Sequence, residues 1–418
     1  MGRKYTRKAI VQKKQTREFL KLIKDYLALY EYKPARVLDI GGAEGLLGMA
    51  LKNAYPWAYV LNIDKDCELI KEGLENFDQI EHLCIDFFEF DMPSVFDLIV
   101  SSNTFHWFGK RWEEGVGRVY ELLDEGGWFF LHQGGRWTYY FLYSLAEECY
   151  KELTGETLKH TQILYYPTLK EFREKLSKYF SVVSAFSKIE LSDSYSLEEL
   201  LNSFSVAGAR VFTDRLSEEK KEEFHSLLTK KALEEDVPVF GRRLFGVLRK
   251  RMKVYVREGS VEEIEDILRR NEGEFVPPLS QRSQAGGQIG EVKRDKVSGI
   301  EEYLNSLRGG RILVAINKDG ERVGFLAYRK QVLHFTPFPV AYITTIIVDK
   351  PYRKLGVGTA LYQEVLRREK EVYTRTWSTN KEHLELLKKL NFRQVYIIKD
   401  DRGKGIDSIY LKYTGDVS

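Results

Sequence analysis

The sequence predicts an α/β protein of two domains, residues 1–250 and 253–418, and three observations predict it. Apolar strand-like runs alternate with helical patterns from about residue 34 to residue 135, the grammar of a mainly parallel sheet covered on both faces. A second unit of strand, glycine turn and helix stands at residues 342–368, and between the two a fresh pattern starts at Lys253.

The 418 residues suffice for two cores, and 43% hydrophobic with 30% charged residues reads as soluble and globular. A formal charge of +3 makes no general demand for nucleic acid, although a local basic face stays open. No apolar run reaches the length that spans a bilayer, so a cytoplasmic location is expected. Cys67, Cys84 and Cys149 lack metal-ligand spacing; no metal is expected, and the three read as small buried hydrophobes in a reducing compartment.

Taking the elements in order, Phe19, Leu22, Ile23, Tyr26, Leu27 and Tyr30 recur at helical spacing, and Pro34 marks the turn into the first strand. Val37-Leu-Asp-Ile-Gly-Gly-Ala-Glu-Gly45 then runs a strand into a glycine-rich turn. Gly41 and Gly45 permit a tight turn close to a ligand, and Asp39 can accept hydrogen bonds from it. The next strand ends in Asp64, nineteen residues after Gly45, where an acid can grip a ribose diol. The plain alternative is an ordinary strand–turn–helix with a solvated carboxylate. Three later features weigh against it: His82-Leu-Cys-Ile-Asp86, the strand Phe96–Trp107 with its polar and aromatic end, and Leu122-Leu-Asp-Glu-Gly-Gly before a further strand.

In this order residues 34–135 resemble the class I S-adenosylmethionine-dependent methyltransferases. The resemblance implies a Rossmann-like domain that binds S-adenosyl-L-methionine through Asp39, Gly41, Gly45 and Asp64, with Asp86 on the adenine side. Ala43 stands where that family usually has glycine, and Asp124-Glu125 replaces its usual Lys-Pro. Ser102, Asn103, His106 and Trp107 end the fourth strand, at the edge where ligands of such sheets collect. Ser102 is therefore a cofactor-side candidate, and His106 is either a base or a packed histidine.

Residues 136–250 read as a helical insertion followed by returning strands, Ser181–Phe186 and Arg243–Leu248, an order that resembles the acceptor cover of small-molecule carboxyl methyltransferases. Asn103-Thr-Phe-His-Trp107, Gln133-Gly-Gly-Arg-Trp137 and Tyr5-Thr-Arg-Lys-Ala-Ile-Val-Gln12 resemble the malonyl-acyl-carrier-protein and aconitate methyltransferases. That resemblance implies a carboxylate acceptor, small or carrier-bound, with Arg136 as its clamp and Tyr5 beside it. A carboxylate is already ionised at neutral pH, so no strong base is needed.

The second domain opens with the strand Val254–Arg257 and a helix whose Ser260 and Glu263 form a capping box. Residues 283–299 read as a polar, mobile loop. The strand Tyr342–Val348 leads into Asp349-Lys-Pro-Tyr-Arg-Lys-Leu-Gly-Val-Gly-Thr-Ala360 and a helix. Main-chain N–H groups at such a helix start suit a pyrophosphate, and Arg353 adds charge. From about residue 253 to 414 the chain is similar to the GNAT N-acetyltransferase family, which implies acetyl-CoA bound by Ile347, Val348, Arg353, Gly356, Val357, Gly358 and Thr359, with Asn380 nearby. Leu387 occupies the position at which many members carry a tyrosine general acid.

Three readings follow: a bifunctional methyltransferase and N-acetyltransferase; a methyltransferase whose second domain only senses acetyl-CoA; and a factor that modifies RNA or protein through its basic start and residues 242–253. The first is preferred.

Overall fold

The computed structural model describes residues 10–92, 95–191, 196–235, 240–275, 278 and 296–415. The chain divides into two units, Met1–Arg251 and Met252–Ser418. No described helix is long and apolar enough to cross a membrane.

In the first unit α1 (Ile10–Leu29) precedes β1 (Arg36–Ile40), α2 (Leu46–Ala54), β2 (Tyr59–Asp64), α3 (Cys67–Asn76), β3 (Glu81–Cys84) and β4 (Phe96–Ser102). A 3-10 turn, Phe105–Arg111, leads to α4 (Trp112–Leu122) and β5 (Leu123–Gly134). The sheet order is β3-β2-β1-β4-β5-β7-β6, where β6 is Ser181–Leu191 and β7 is Phe240–Arg249. The first five strands are parallel, and β7 enters antiparallel between β5 and β6. This is the doubly wound, Rossmann-like sheet that the resemblance implies.

Period-2 alternation explains its two cores. Val37, Trp128 and Phe130 pack under α1 and α2 with Phe19, Ile23 and Leu51, while Leu38, Phe129 and Leu131 pack under α4 with Trp112 and Val116. Each such side chain, fully buried, contributes roughly 1.5–3 kcal/mol. The Gly-Gly before β5 is absorbed into the strand as an irregularity: Phe96 faces Leu123, but Leu98 faces Trp128.

The insertion consists of α5 (Tyr140–Thr154), α6 (Leu169–Ser177), α7 (Leu197–Val206), a short α8 (Arg210–Thr213) and α9 (Glu218–Glu234). Thr168 with Glu171 and Ser196 with Glu199 form capping boxes that start α6 and α7. Apart from α6, the insertion has a core of its own, with Leu145, Phe204, Phe212 and Phe224.

Cys67 and Cys84 are joined in a disulfide with Cα atoms 5.1 Å apart, which corrects the reading of all three cysteines as buried hydrophobes. The β2–β3 register sets Asp64 opposite Cys84, and the first turn of α3 brings Cys67 back to it. Cys149 is buried and free.

In the second unit β8 (Tyr255–Gly259), α10 (Val261–Asn271), α11 (Lys296–Leu307), β9 (Arg311–Ile316), β10 (Arg322–Gln331) and β11 (Val340–Val348) are followed by α12 (Val357–Arg368), β12 (Val372–Trp377), α13 (Lys381–Lys389), β13 (Phe392–Ile398) and β14 (Ser408–Tyr413). The sheet order is β13-β14-β12-β11-β10-β9-β8, antiparallel except between β11 and β12. Leu361 and Val365 of α12 and Leu387 of α13 pack on one face, and Ile264 and Leu268 of α10 on the other with Leu304 of α11. Ser260 stands at the N-cap of α10 and its main-chain N–H bonds the Glu263 carboxylate, yet its hydroxyl caps no helix N–H, so only half of the expected box is formed. Of the expected loop 283–299, residues up to 295 lie outside the described residues, and α11 begins at Lys296.

Candidate functional site

In the first unit the C-terminal ends of the parallel strands open on a cavity of about 460 Å³. Asp39, Gly41, Asp64, Asp86, Ser102 and His106 all line it; Gly45 is outside the lining, at the N-cap of α2. Asp39 is fully buried: one carboxylate oxygen accepts from Gly48 N at 2.9 Å, while Oδ1 has no hydrogen-bond partner. Burial, then the neighbouring acids Asp64 and Glu44, push its pKa up to about 7 against the Gly48 N–H bond. Asp64 accepts from Ala43 N at 3.0 Å and from Asp66 N at 2.9 Å, and burial raises its pKa. Asp86 accepts from Phe88 N at 2.8 Å.

The loop between Asp39 and Gly45 is held by the strand ends around it. Ala43 adopts φ 51°, the left-handed conformation that explains the family's preference for glycine there, and Asn62 Nδ2 fixes its carbonyl at 2.9 Å. A Cβ on Gly42 would lie 2.3 Å from Asn62 Oδ1 and 2.5 Å from Asp39 Oδ2. An orphaned acid oxygen beside a turn that admits no side chain at Gly41 or Gly42 fits a polar, cationic ligand such as S-adenosylmethionine.

The far wall comes from elements without a motif. Tyr143 of α5 and Tyr166 share a hydrogen bond at 3.0 Å, and His106 stacks on Tyr166 with ring centres 5.2 Å apart. Burial pushes the His106 pKa down to about 3, so its imidazole is neutral and a weak base. Arg210 of α8 reaches Asp66 at 3.2 Å, and Arg243 of β7 also lines the cavity.

Arg136 is corrected: it lies outside the lining, half-exposed, with its guanidinium 3.3 Å from Glu171 of α6. Its main-chain N–H bonds Pro167 O, which turns the chain away from the end of β5. Tyr5 lies outside the described residues. Sequence reasoning missed Gln15, Tyr143, Tyr166, Arg210 and Arg243, whose signal was only their place in helices and strands that return to the sheet.

In the second unit β11 pairs with β12 over Ala341–Ile343 alone, so the ends carrying Ile347 and Val348 part from their neighbour. Gly356, at φ 93°, caps α12, and a side chain there would meet nothing within 4 Å. The turn at Gly356 therefore borders open space at the N-terminus of α12, where a helix presents N–H groups that suit an anion. Val357 is buried behind the turn, and Thr359 follows in the first turn. A Cβ on Gly358 would meet Leu386 at 3.3 Å.

Arg353 is engaged inside the unit: Nε donates to Val348 O at 2.9 Å, and Nη2 reaches Asn271 and Glu274. Its charge is thus shared with Glu274, and the helix start carries more of any anion recognition than the sequence implied. Asn380 caps α13, accepting from His383 N at 3.2 Å. Leu387 is wholly buried in the core. Beside it Tyr362 Oη meets His383 Nε2 at 2.7 Å and Thr376 Oγ1 meets His383 Nδ1 at 3.0 Å, with burial pushing His383 down to about 4.

Residues 38–129 match a methyltransferase domain family, and residues 281–392 match the Acetyltransferase (GNAT) family. An N-alpha-acetyltransferase of Sulfolobus acidocaldarius is 34% identical over 127 residues, 28% of this chain and 72% of that protein. Malonyl-[acyl-carrier protein] O-methyltransferases are similar to the first unit: that of Anoxybacillus flavithermus is 28% identical over 149 residues, 34% of this chain and 54% of its own length. That of Geobacter sulfurreducens is 32% identical over 135 residues, 30% of this chain and 46% of its own. The chain spans about half the length of these methyltransferases. Among solved structures, the cyclopropane synthase MmaA2 of Mycobacterium tuberculosis is 18% identical, with 54% of this chain and 83% of that one covered at a TM-score of 0.36.

Proposed function

The chain belongs to the GNAT acetyltransferase family through its second unit and carries a methyltransferase domain in its first, and from that premise we propose a bifunctional transferase that methylates a carboxylate from S-adenosylmethionine and acetylates an amine from acetyl-CoA. The observation that carries the first half is the buried Asp39 with its orphaned Oδ1, beside a turn with no room for a Cβ at Gly41 or Gly42, on a cavity lined in part by aromatic rings.

Bound there, S-adenosylmethionine would supply an electrophilic sulfonium methyl group. Asp64 offers its carboxylate to the ribose and Asp86 the adenine side, while Asp39, with a pKa near 7, would lose its proton when a cation arrives beside it. Much of the rate of such a transfer comes from alignment. His106, with a pKa near 3, favours an acceptor that needs no proton removed, and a carboxylate is one. The malonyl-carrier relatives support the same class. Arg210 and Arg243 take the clamp role first given to Arg136, since both line the cavity.

In the second unit, the parted strands and the open helix start support acetyl-CoA binding. An amine must be neutral to attack a thioester, so turnover should rise with pH until the amine or its base is deprotonated. A sensor reading has one observation in its favour: the family's acid position is filled by Leu387 inside the core.

The deciding experiment incubates the full chain with labelled S-adenosylmethionine and, separately, labelled acetyl-CoA against free acids, acyl-carrier thioesters, amines, peptides and RNA. Methyl esters and acetylated amines are the expected products. Label on RNA or protein in place of esters would sink the carboxylate reading, and coenzyme binding without acetylation of any amine would select the sensor.

A further inference from the structure

Five elements of the first unit meet in a closed ring of hydrogen bonds on one wall of the cavity. Arg243 of β7 donates from Nε to His132 Nε2 of β5 at 2.7 Å and from Nη1 to Glu190 Oε1 of β6 at 2.5 Å. The second Glu190 oxygen accepts from Gln15 Nε2 of α1 at 2.9 Å, and Gln15 Oε1 accepts from Asn103 Nδ2 at 2.9 Å. Asn103 N donates to His132 O at 2.8 Å, and His132 Nδ1 meets Ser102 Oγ at 3.0 Å. Gln15, Ser102, Asn103 and Arg243 line the cavity; His132 is fully buried behind them.

One proton assignment satisfies this ring. Arginine has donors only, so His132 Nε2 must present its lone pair. The neutral imidazole then carries its proton on Nδ1, and that N–H donates to Ser102 Oγ. A protonated ring would set N–H against N–H. Burial, with Arg243 and His106 nearby, holds His132 well below the usual histidine range. Because Ser102 accepts from His132, its own proton must point elsewhere.

A second donor stands in the same wall. Arg243 is 3% exposed, and its Nη2 has no hydrogen-bond partner. Glu18 and Glu190 share Nη1, while Lys188 pairs with Glu18 at 2.9 Å, so within this cluster two acids face two bases.

Resting on the methyltransferase reading of this cavity, we propose that Arg243 and His132 are positioning residues that fix the Ser102 hydroxyl as a donor to a ligand carboxylate. That carboxylate belongs either to the amino-acid part of S-adenosylmethionine or to the methyl acceptor.

Two measurements on the full chain test this. Nitrogen-15 NMR of the seven histidines, with His132 identified by the resonance lost in His132→Gln, should show a neutral Nδ1–H tautomer across the neutral pH range. A protonated ring or an Nε2–H tautomer overturns the proposal without any appeal to activity. Calorimetry then compares S-adenosylhomocysteine with its decarboxylated analogue on the parent, Ser102→Ala and Ser102→Thr. A loss of about tenfold or more in Ser102→Ala, confined to the carboxylate-bearing ligand and rescued by Ser102→Thr, assigns the cofactor. Unchanged cofactor affinity with a similar rise in acceptor KM, again rescued by threonine, assigns the acceptor. No change in either overturns the proposal while leaving the methyltransferase reading intact, whereas failure of the parent to bind S-adenosylhomocysteine overturns both.

Discussion

Glycine serves opposite purposes in the two units. At Gly42 the missing side chain lets protein pack against protein, since a Cβ would sit 2.3 Å from Asn62. At Gly356 it leaves open space, with nothing within 4 Å. The acids differ in the same sense. Asp39 is buried with one oxygen unspent, whereas Asp349, also buried, accepts from Arg270 and Asn271 at 2.6 Å each. The turn of the first unit lies beside a buried carboxyl group with an unengaged oxygen, and that of the second beside an acid whose two oxygens are both engaged. A glycine motif thus specifies a close approach, and its surroundings specify the charge that approaches.

The contrast can be broken by substitution, and the largest effect belongs to Gly356→Val. A β-branched residue at φ 93° is strained by about 1–3 kcal/mol and also enters the ligand's space. Coenzyme A affinity should fall about 100-fold or more in calorimetry, with S-adenosylhomocysteine affinity unchanged; parallel losses would show mere unfolding. Cys67→Ser opens a disulfide of sequence separation 17 and should cost about 3 kcal/mol in the denaturation of the first unit. A melt identical to the parent's, with or without reductant, would mean that the bridge contributes nothing.

Asp64→Ala removes a charge-assisted acceptor for the ribose and should weaken S-adenosylhomocysteine by about 1.5–3 kcal/mol; equal affinity would remove Asp64 from the site. Asp39 makes a pH-dependent difference. Its folded pKa of about 7 exceeds its ordinary value of 3.8, so the native state holds a proton that the unfolded chain has lost. Its contribution to stability is present below about pH 4, declines as pH rises, and is lost above about pH 7. The Tm of Asp39→Asn relative to the parent should therefore rise across that window, and a constant offset would refute the buried, protonated acid. The smallest effect is expected for Arg136→Ala. An exposed ion pair is worth about 0–1 kcal/mol, and acceptor KM should not move; a large rise would return Arg136 to the cavity.

Strand-end residues were legible because a parallel sheet gathers its C-terminal ends at one edge. The place of Asp39, Asp64, Asp86 and Ser102 on the cavity followed from their strands alone. The ring that holds Ser102 was not legible. Gln15 and Glu190 are 175 positions apart, and Arg243 lies 111 positions from His132, brought together by an antiparallel strand whose register no local pattern states. Arg136 illustrates the difference: it lies two residues beyond β5, but a single main-chain bond to Pro167 turns it toward Glu171. The disulfide escaped for a similar reason, since only the β2–β3 register brings its halves together.

The antiparallel entry of β7 also sets a timetable. Arg243 closes the ring from the last strand of its unit, 225 positions after Glu18. A chain growing from its N-terminus has its glycine loop and acids in place long before that strand is made, and contacts of such separation form late because the loop they close must first be ordered. The cavity wall is therefore finished only when β7 slots between β5 and β6. A chain halted before Phe240 would carry the glycine loop and the strand-end acids but lack Arg243 and the strand that joins β5 to β6.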